Sequence, residues 1–374
     1  MKFGNRTLMV VDPGLRLWGS ERALAATLKS LTEAWERVVL VLPYGAELAD
    51  ELRNNGCDYG SVELIYAPIG MLHKRNCIAR LLAIAAMTKL ALQLRPARVY
   101  LNQAGLVRLL WPVMLALGIP LAVHVRLIED VPRVIGLRGT QRAPLDLIFI
   151  SDAMVAAAGG QLTSADGTSW HKAYDPYSLS PRPRSPEKVT PFVCVGRLSH
   201  GKGMHLLVDA LSQPALSDTC ADIYGASVEG EDYGRRLAAQ VENLNGRVRL
   251  KGFRSDVSVR LPAYSFLVST SQFEPLGRVV MEAWDAGIVP IVYAGSGGAA
   301  EMVAKAQGGL VFDEWTAESL EKVLKHALTM PIDERRHLAT SGRDWIEREL
   351  NLQIYRQTLA GVLFGNTTLE KSNA

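Results

Sequence analysis

Ser271-Gln272-Phe273-Glu274-Pro275-Leu276-Gly277-Arg278-Val279-Val280-Met281-Glu282-Ala283 reads as a loop running into an amphipathic helix. The apolar run from Tyr264 to Thr270 just before it reads as a strand, so the whole is a strand-to-helix turn. Pro275 suits the first turn of such a helix, where its missing N–H costs nothing, and Gly277 lets another backbone or a ligand come close. The free N–H groups and positive dipole end of the helix then point at whatever anion lies beyond the strand. Glu274 falls in the loop and Glu282 in the helix's second turn. A carboxylate in the loop accepts hydrogen bonds from hydroxyl groups, while one in the helix can hold a vicinal diol with both oxygens. The alternative is an i,i+4 surface pair between Arg278 and Glu282, worth roughly a few tenths of a kcal/mol.

A second turn of opposite charge lies about 75 residues upstream. Pro191 to Val195 is a short apolar strand, followed by Gly196-Arg197-Leu198-Ser199-His200-Gly201-Lys202-Gly203 and a helical run through Leu206, Leu207 and Ala210. Glycines bracket two cations at a strand end. A diphosphate carries about two negative charges, which one guanidinium fork and one ammonium can neutralise. A solvated basic loop is the commoner fate of such residues. A basic and an acidic turn, each closing a strand of the same α/β pattern, favour a shared anion site instead.

The segments Phe192 to Leu211 and Phe273 to Ala283 together resemble the GT-B retaining glycosyltransferases of family 4, strongly over 190–315 and more loosely over the first 180 residues. That resemblance implies an α/β chain of two Rossmann-like, doubly wound domains facing across a cleft. It implies a hexosyltransferase that moves a hexose-type sugar from a UDP- or GDP-linked donor to a glycan or lipid-linked oligosaccharide, in bacterial surface polysaccharide assembly. By the same likeness Arg197 and Lys202 hold the diphosphate, Glu282 the ribose and Glu274 the donor sugar, with Gly196, Pro275, Leu276, Gly277 and Arg278 completing the donor site. Gly252-Phe253-Arg254, after the strand-like Arg247 to Leu250, corresponds to the loop whose backbone meets the base. Gly295 to Gly298, after Val289 to Tyr293, corresponds to the pocket floor, although an ordinary turn accounts for Gly297 and Gly298.

The N-terminal half is less explicit. Thr7 to Val11 reads as a strand, Asp12 to Trp18 as a loop, and Ser20 as the cap of a helix through Leu24, Leu28 and Leu31. Family members usually carry two consecutive glycines beside the donor phosphate; this chain has Trp18-Gly19. With one glycine lost the close backbone approach departs from the family pattern; Gly19 remains the donor-side candidate, and Trp18 either lines the acceptor groove or covers the hinge. Pro120 to Arg126 reads as a buried parallel strand, and in open α/β sheets ligands lie beyond the carboxyl ends of strands. A lone histidine there is more often a satisfied core residue, but the resemblance sets His124 against the donor sugar and leaves Arg126 as a phosphate or acceptor contact. Ser151 and Asp152 read as a helix cap.

At 374 residues the chain has room for two cores. The prolines at 176, 181, 183 and 186 mark a linker near 177–188, which gives domains at 1–178 and 189–351, with a final helix at about 352–370 returning to the first. Cys57, Cys77, Cys194 and Cys220 show no paired spacing, and no secretory signal precedes the first strand. Both features point to the cytoplasm. Residues 64–128 carry Lys74, Arg75, Arg80, Lys89, Arg95, Arg98, Arg108 and Arg126 with no Asp or Glu, against a net charge of only +3 for the chain. The stretch suits either peripheral contact with an anionic membrane surface or buried helices with a basic rim. Nucleic acid is disfavoured, since no aromatic platform or binding module accompanies the charges.

No Asp-x-Asp clamp occurs, so no metal and no cofactor are expected. Two alternatives share this scaffold: a nucleotide-sugar epimerase or hydrolase, which needs further carboxylates, and a silent glycan-binding subunit. Val11-Asp12-Pro13-Gly14 lacks the GxGxxG turn of dinucleotide enzymes.

Overall fold

Short apolar runs, buried in the central strands and partly exposed at the sheet edges, alternate with helices and build two parallel sheets. The structure, a computed structural model, describes residues 6–17, 19–54, 60–73, 77–160, 162, 167–181, 190–227 and 232–364. Its chain divides into two compact units, 1–176 with 352–374, and 177–351.

In the first unit the strands are β1 (Thr7–Val11), β2 (Arg37–Leu42), β3 (Val62–Tyr66), β4 (Arg98–Leu101), β5 (Leu121–Val125), β6 (Leu145–Phe149) and β7 (Thr168–Lys172). They lie in the order β3-β2-β1-β4-β5-β6-β7, all parallel. The connecting helices are α1 (Gly19–Ala34), α2 (Glu47–Asn54), α3 (Cys77–Leu94), α4 (Val107–Leu117), α5 (Val131–Val134) and α6 (Asp152–Ala157). β1, β5 and β6 are buried along their full length, as parallel strands covered on both faces must be.

The second unit repeats the plan with β8 (Thr190–Val195), β9 (Ala221–Tyr224), β10 (Val248–Gly252), β11 (Tyr264–Ser269), β12 (Val289–Tyr293) and β13 (Leu310–Phe312). Their order is β10-β9-β8-β11-β12-β13. Around them run α7 (Met204–Leu211), α8 (Tyr233–Glu242), α9 (Val257–Arg260), α10 (Arg278–Asp285), α11 (Gly298–Ala306), α12 (Ala317–Thr329) and α13 (Ile332–Glu349). In each sheet the chain order reverses beside the first strand, which opens a crevice at the carboxyl ends of β1 and β4, and of β8 and β11.

The last helix, α14 (Leu352–Phe364), belongs to the first unit. Tyr355, Leu359, Val362 and Leu363 share a core with Leu24 and Leu28. Arg356 donates to the Ala26 carbonyl at 2.8 Å, Arg98 to the Val362 carbonyl at 2.9 Å, and Phe364 stacks on Trp35.

Two local expectations are corrected. Pro275 is not in the first helical turn: Gly277 takes a left-handed φ of 80°, and α10 begins only at Arg278. Ser20 is not the cap of α1 but lies within it. Ser151 does cap α6, accepting from the Met154 N–H at 3.1 Å.

Candidate functional site

The basic and acidic turns meet where the second sheet reverses. Gly196 follows β8, and His200–Lys202 forms a single 3-10 turn closed by Gly203 at a φ of 65°. A Cβ on Gly203 would stand 2.4 Å from the Thr270 carbonyl oxygen, so the close passage of the turn past the end of β11 requires glycine on both counts. Three bonds stitch the passage. Thr270 Oγ1 donates to the Lys202 carbonyl at 2.8 Å, the Gln272 N–H to the Gly201 carbonyl at 2.9 Å, and Trp315 Nε1 to the Thr270 carbonyl at 2.7 Å.

Lys202 Nζ lies 2.5 Å from Glu274 Oε1, which also accepts from Ser271 Oγ at 2.6 Å. Both charged side chains keep some water, at 25% and 13% exposure. The acidic loop is itself fixed to the turn after β12: the Glu274 N–H donates to the Ser296 carbonyl and the Gly298 N–H to the Glu274 carbonyl, each at 2.8 Å. Gly298 has no room for a side chain, since a Cβ would lie 2.4 Å from the Pro275 carbonyl oxygen. Hydrogen bonds thus join three loops into one floor.

Arg197 is exposed at the head of the basic turn and forms no ion pair among the described residues. Glu282 lies half-buried on α10. Arg278, next to it, sets its guanidinium 5.9 Å from the Tyr177 ring centre. Burial, with the Asp285 and Glu282 carboxylates close by, raises the Tyr177 hydroxyl well above its ordinary range, so it stays protonated. Gly252 takes a φ of 69° at the end of β10, and Phe253 and Arg254 are exposed beyond it. Burial pushes the Cys194 thiol up to about 12, which leaves it an inert core group beneath the turn.

The far side of the basic turn was not anticipated. His200, His205, Tyr233, Leu237, Asp232, Arg236 and Gln240 line a cavity of about 380 Å³. The His205 N–H donates to the Tyr233 hydroxyl at 3.0 Å, and His205 Nδ1 lies 3.0 Å from the same oxygen. Ser271, three residues before Glu274, was legible as a neighbour in its loop. Trp315 was not, for it reaches the site only through the folded chain.

In the first unit, Gly19 opens α1, while Trp18 lies outside the described residues. His124 and Arg126, expected as a donor-sugar contact and a phosphate or acceptor contact, both lie in the interior of this unit. His124 is fully buried, with Nδ1 2.8 Å from the Tyr100 hydroxyl and 3.2 Å from an Arg126 nitrogen. Because a guanidinium can only donate, Nδ1 is the acceptor and the proton sits on Nε2. Burial and the Arg126 charge hold the imidazole well below its usual range, and it remains neutral. Arg126 is also buried, ion-paired to Asp175 and bonded to the Asn102 carbonyl and side chain and to the Tyr355 hydroxyl. Arg126 is a structural member of a polar core that ties β5 to α14, and His124 joins it through Nδ1, while its buried Nε2–H has no hydrogen-bond partner among the described residues. The strand's apolar sequence did not reveal the Tyr100 that meets His124 or the Asp175 and Tyr355 that meet Arg126.

A second polar cluster closes the first loop. Asp12 accepts from the Gly14 N–H at 2.8 Å and from Asn102 Nδ2 at 2.9 Å, and Gln103 Nε2 donates to Glu21 Oε1 at 2.6 Å. Burial, then the nearby Glu21 carboxylate, raises the Asp12 carboxyl to about 6.

Two parallel, doubly wound sheets with this crevice define the GT-B fold of glycosyltransferases. Residues 179–345 match the family described as Glycosyl transferases group 1. It is 28% identical over 181 residues to the lipopolysaccharide core biosynthesis glycosyltransferase LpsE of Rhizobium meliloti, an alignment covering 47% of this chain and 51% of LpsE. It is 26% identical over 196 residues to the putative colanic acid biosynthesis glycosyltransferase WcaL of Escherichia coli, covering 50% and 48%. The chain therefore spans about half the length of the curated relatives it matches. Among solved structures, Anabaena HepE in complex with UDP and glucose superposes with a TM-score of 0.74 at 20% identity, over 96% of this chain and 100% of HepE.

Proposed function

We propose that the chain transfers a hexose-type sugar from a nucleoside-diphosphate donor to a glycan or lipid-linked oligosaccharide acceptor, in the assembly of a bacterial surface polysaccharide. The observation that carries this reading is the meeting of Lys202 and Glu274, 72 residues apart in sequence, on a glycine-built floor at the reversal of a parallel sheet. Arg197 and Lys202 take the diphosphate, Glu274 the sugar hydroxyls, and Glu282 the ribose diol. The Gly252–Arg254 backbone meets the base, and the acceptor role falls to the first unit. HepE supports a UDP-linked donor as the first to test, with GDP next. The names of LpsE and WcaL support a surface-glycan acceptor.

In the reaction, the bond between the sugar's anomeric carbon and the diphosphate oxygen breaks, and the electron pair leaves with the nucleoside diphosphate. Arg197 and Lys202 stabilise that charge in place of a metal ion. The acceptor hydroxyl attacks from the face the leaving group vacates, so the anomeric configuration is retained, and its proton passes to the departing phosphate. The protein works in the cytoplasm, at the inner face of the membrane.

Titration with UDP and GDP, followed by donor consumption with and without a glycan acceptor, tests the proposal. Binding of one nucleotide and acceptor-dependent consumption unaffected by EDTA are expected. Conversion of the donor without any acceptor points to the epimerase or hydrolase, and binding without turnover to the silent subunit.

A further inference from the structure

Helix α3 wears its polarity inside out. Its inward stripe is Ala79, Ala83, Met87, Ala91 and Leu94, all buried. Outward stand Ile78, Leu81, Leu82 and Leu92, at 68%, 66%, 59% and 55% exposure, with Ala85 and Lys89 between them. These positions recur every three or four residues, so they form one continuous face. A water-facing helix buries its leucines and shows its small or charged residues. Here the small residues are inside, and by length and composition the helix is apolar enough to cross a membrane.

The charges nearby have one sign. Between residues 64 and 128 there is no Asp or Glu. Arg98 and Arg126 of this stretch are internal, paired with Asp146 and Asp175. Arg80, Lys89, Arg95 and Arg108 are exposed.

We propose that α3 docks the chain onto an anionic lipid surface, lying in the plane of the interface with its leucine face toward the acyl chains. Spanning is disfavoured because the alanine stripe packs against the rest of the unit, so lipid cannot surround the helix. Lys89, in the middle of the apolar face, reaches the headgroups by extending its own methylene stem. A second copy of the chain is the poorer occupant: two such faces would oppose like charges, and no carboxylate in the stretch answers them. An anionic bilayer supplies both the apolar phase and the opposite charge. The inference deepens the reading of a membrane-side acceptor by naming the element that meets the membrane, and it is measured without donor or acceptor.

Co-sedimentation of the full chain with phosphatidylcholine vesicles, with and without about 30 mol% phosphatidylglycerol, is the test. Binding to the anionic vesicles, weakened by salt and by at least about tenfold in the double variant Leu81→Glu/Leu82→Glu, is expected. Both substitutions point outward, so an unchanged melting temperature separates lost docking from lost folding. Wild-type protein left in the supernatant, or a double variant that binds as well as wild type, overturns the proposal. So does a wild-type dimer that the double variant abolishes without any vesicle binding, which would assign the face to a second copy. Vesicle binding by a chain that takes up neither UDP nor GDP would remove the transfer reading and leave this one standing.

Discussion

Replacing Glu274 by Gln should tighten binding of free UDP while depressing transfer. In the structure Lys202 is held 2.5 Å from Glu274, so a diphosphate must compete with that carboxylate for the ammonium. Unit charges 4 Å apart attract by about 4 kcal/mol at an effective dielectric of about 20, and pairs that keep partial contact with water return most of that as desolvation. A net cost of about 1–2 kcal/mol for withdrawing Lys202 is reasonable, and glutamine removes it while still accepting from Ser271. UDP should therefore bind about 5–30-fold tighter to the variant by isothermal titration. The same change removes the anion proposed to hold the sugar, so turnover of a UDP-sugar should fall. Unchanged or weakened UDP binding, with the fold intact by circular dichroism, would show that Lys202 does not exchange Glu274 for phosphate.

Gly203→Ala should destabilise the protein by about 2 kcal/mol or more in urea unfolding, because the residue combines a positive φ with a 2.4 Å approach to the Thr270 carbonyl oxygen, and it should weaken UDP binding as the turn shifts. His124→Ala should cost about 2–4 kcal/mol of stability, read by thermal unfolding, while changing the turnover of folded enzyme far less than Lys202→Ala does. Asp12 gives a pH signature. Its carboxyl titrates near 6 when folded, above its ordinary value of 3.8, so the folded state binds the proton more tightly. The stabilisation this gives is complete below about pH 4 and lost as pH rises through 6. Wild-type stability relative to Asp12→Asn should fall by about 2–3 kcal/mol between pH 4 and 7 in urea titrations, and a flat difference would contradict the raised value.

Elements with a strong apolar period were legible from sequence. The runs read as strands fall on β11 (Tyr264–Ser269) and β8 (Thr190–Val195), because short apolar runs bounded by turn residues suit buried parallel strands, and the glycines after them mark turns where backbones approach closely. Glu274 and Lys202 were readable for the same reason, since each lies in a glycine-bracketed turn at a strand end. Boundaries were less readable: Gly277 moves the start of α10 past Pro275, a decision made by backbone conformation and not by residue preference. Buried polar partners were least readable. Arg126 sits where a ligand contact was expected, but Asp175 and Tyr355, distant in sequence, satisfy it from within. No local pattern announces that. The outward leucines of α3 were likewise hidden, because an apolar helix shows which face is buried only once it has been packed.

In the proposed function the turn from Gly196 to Gly203 holds a pyrophosphate. Titration of UDP, and of uridine as a phosphate-free control, into wild type, Arg197→Ala and Lys202→Ala measures it directly. UDP should bind wild type, each substitution should weaken it by about tenfold or more, and uridine should bind weakly and equally to all three. UDP affinity that is the same in all three proteins would show that this turn does not hold the pyrophosphate.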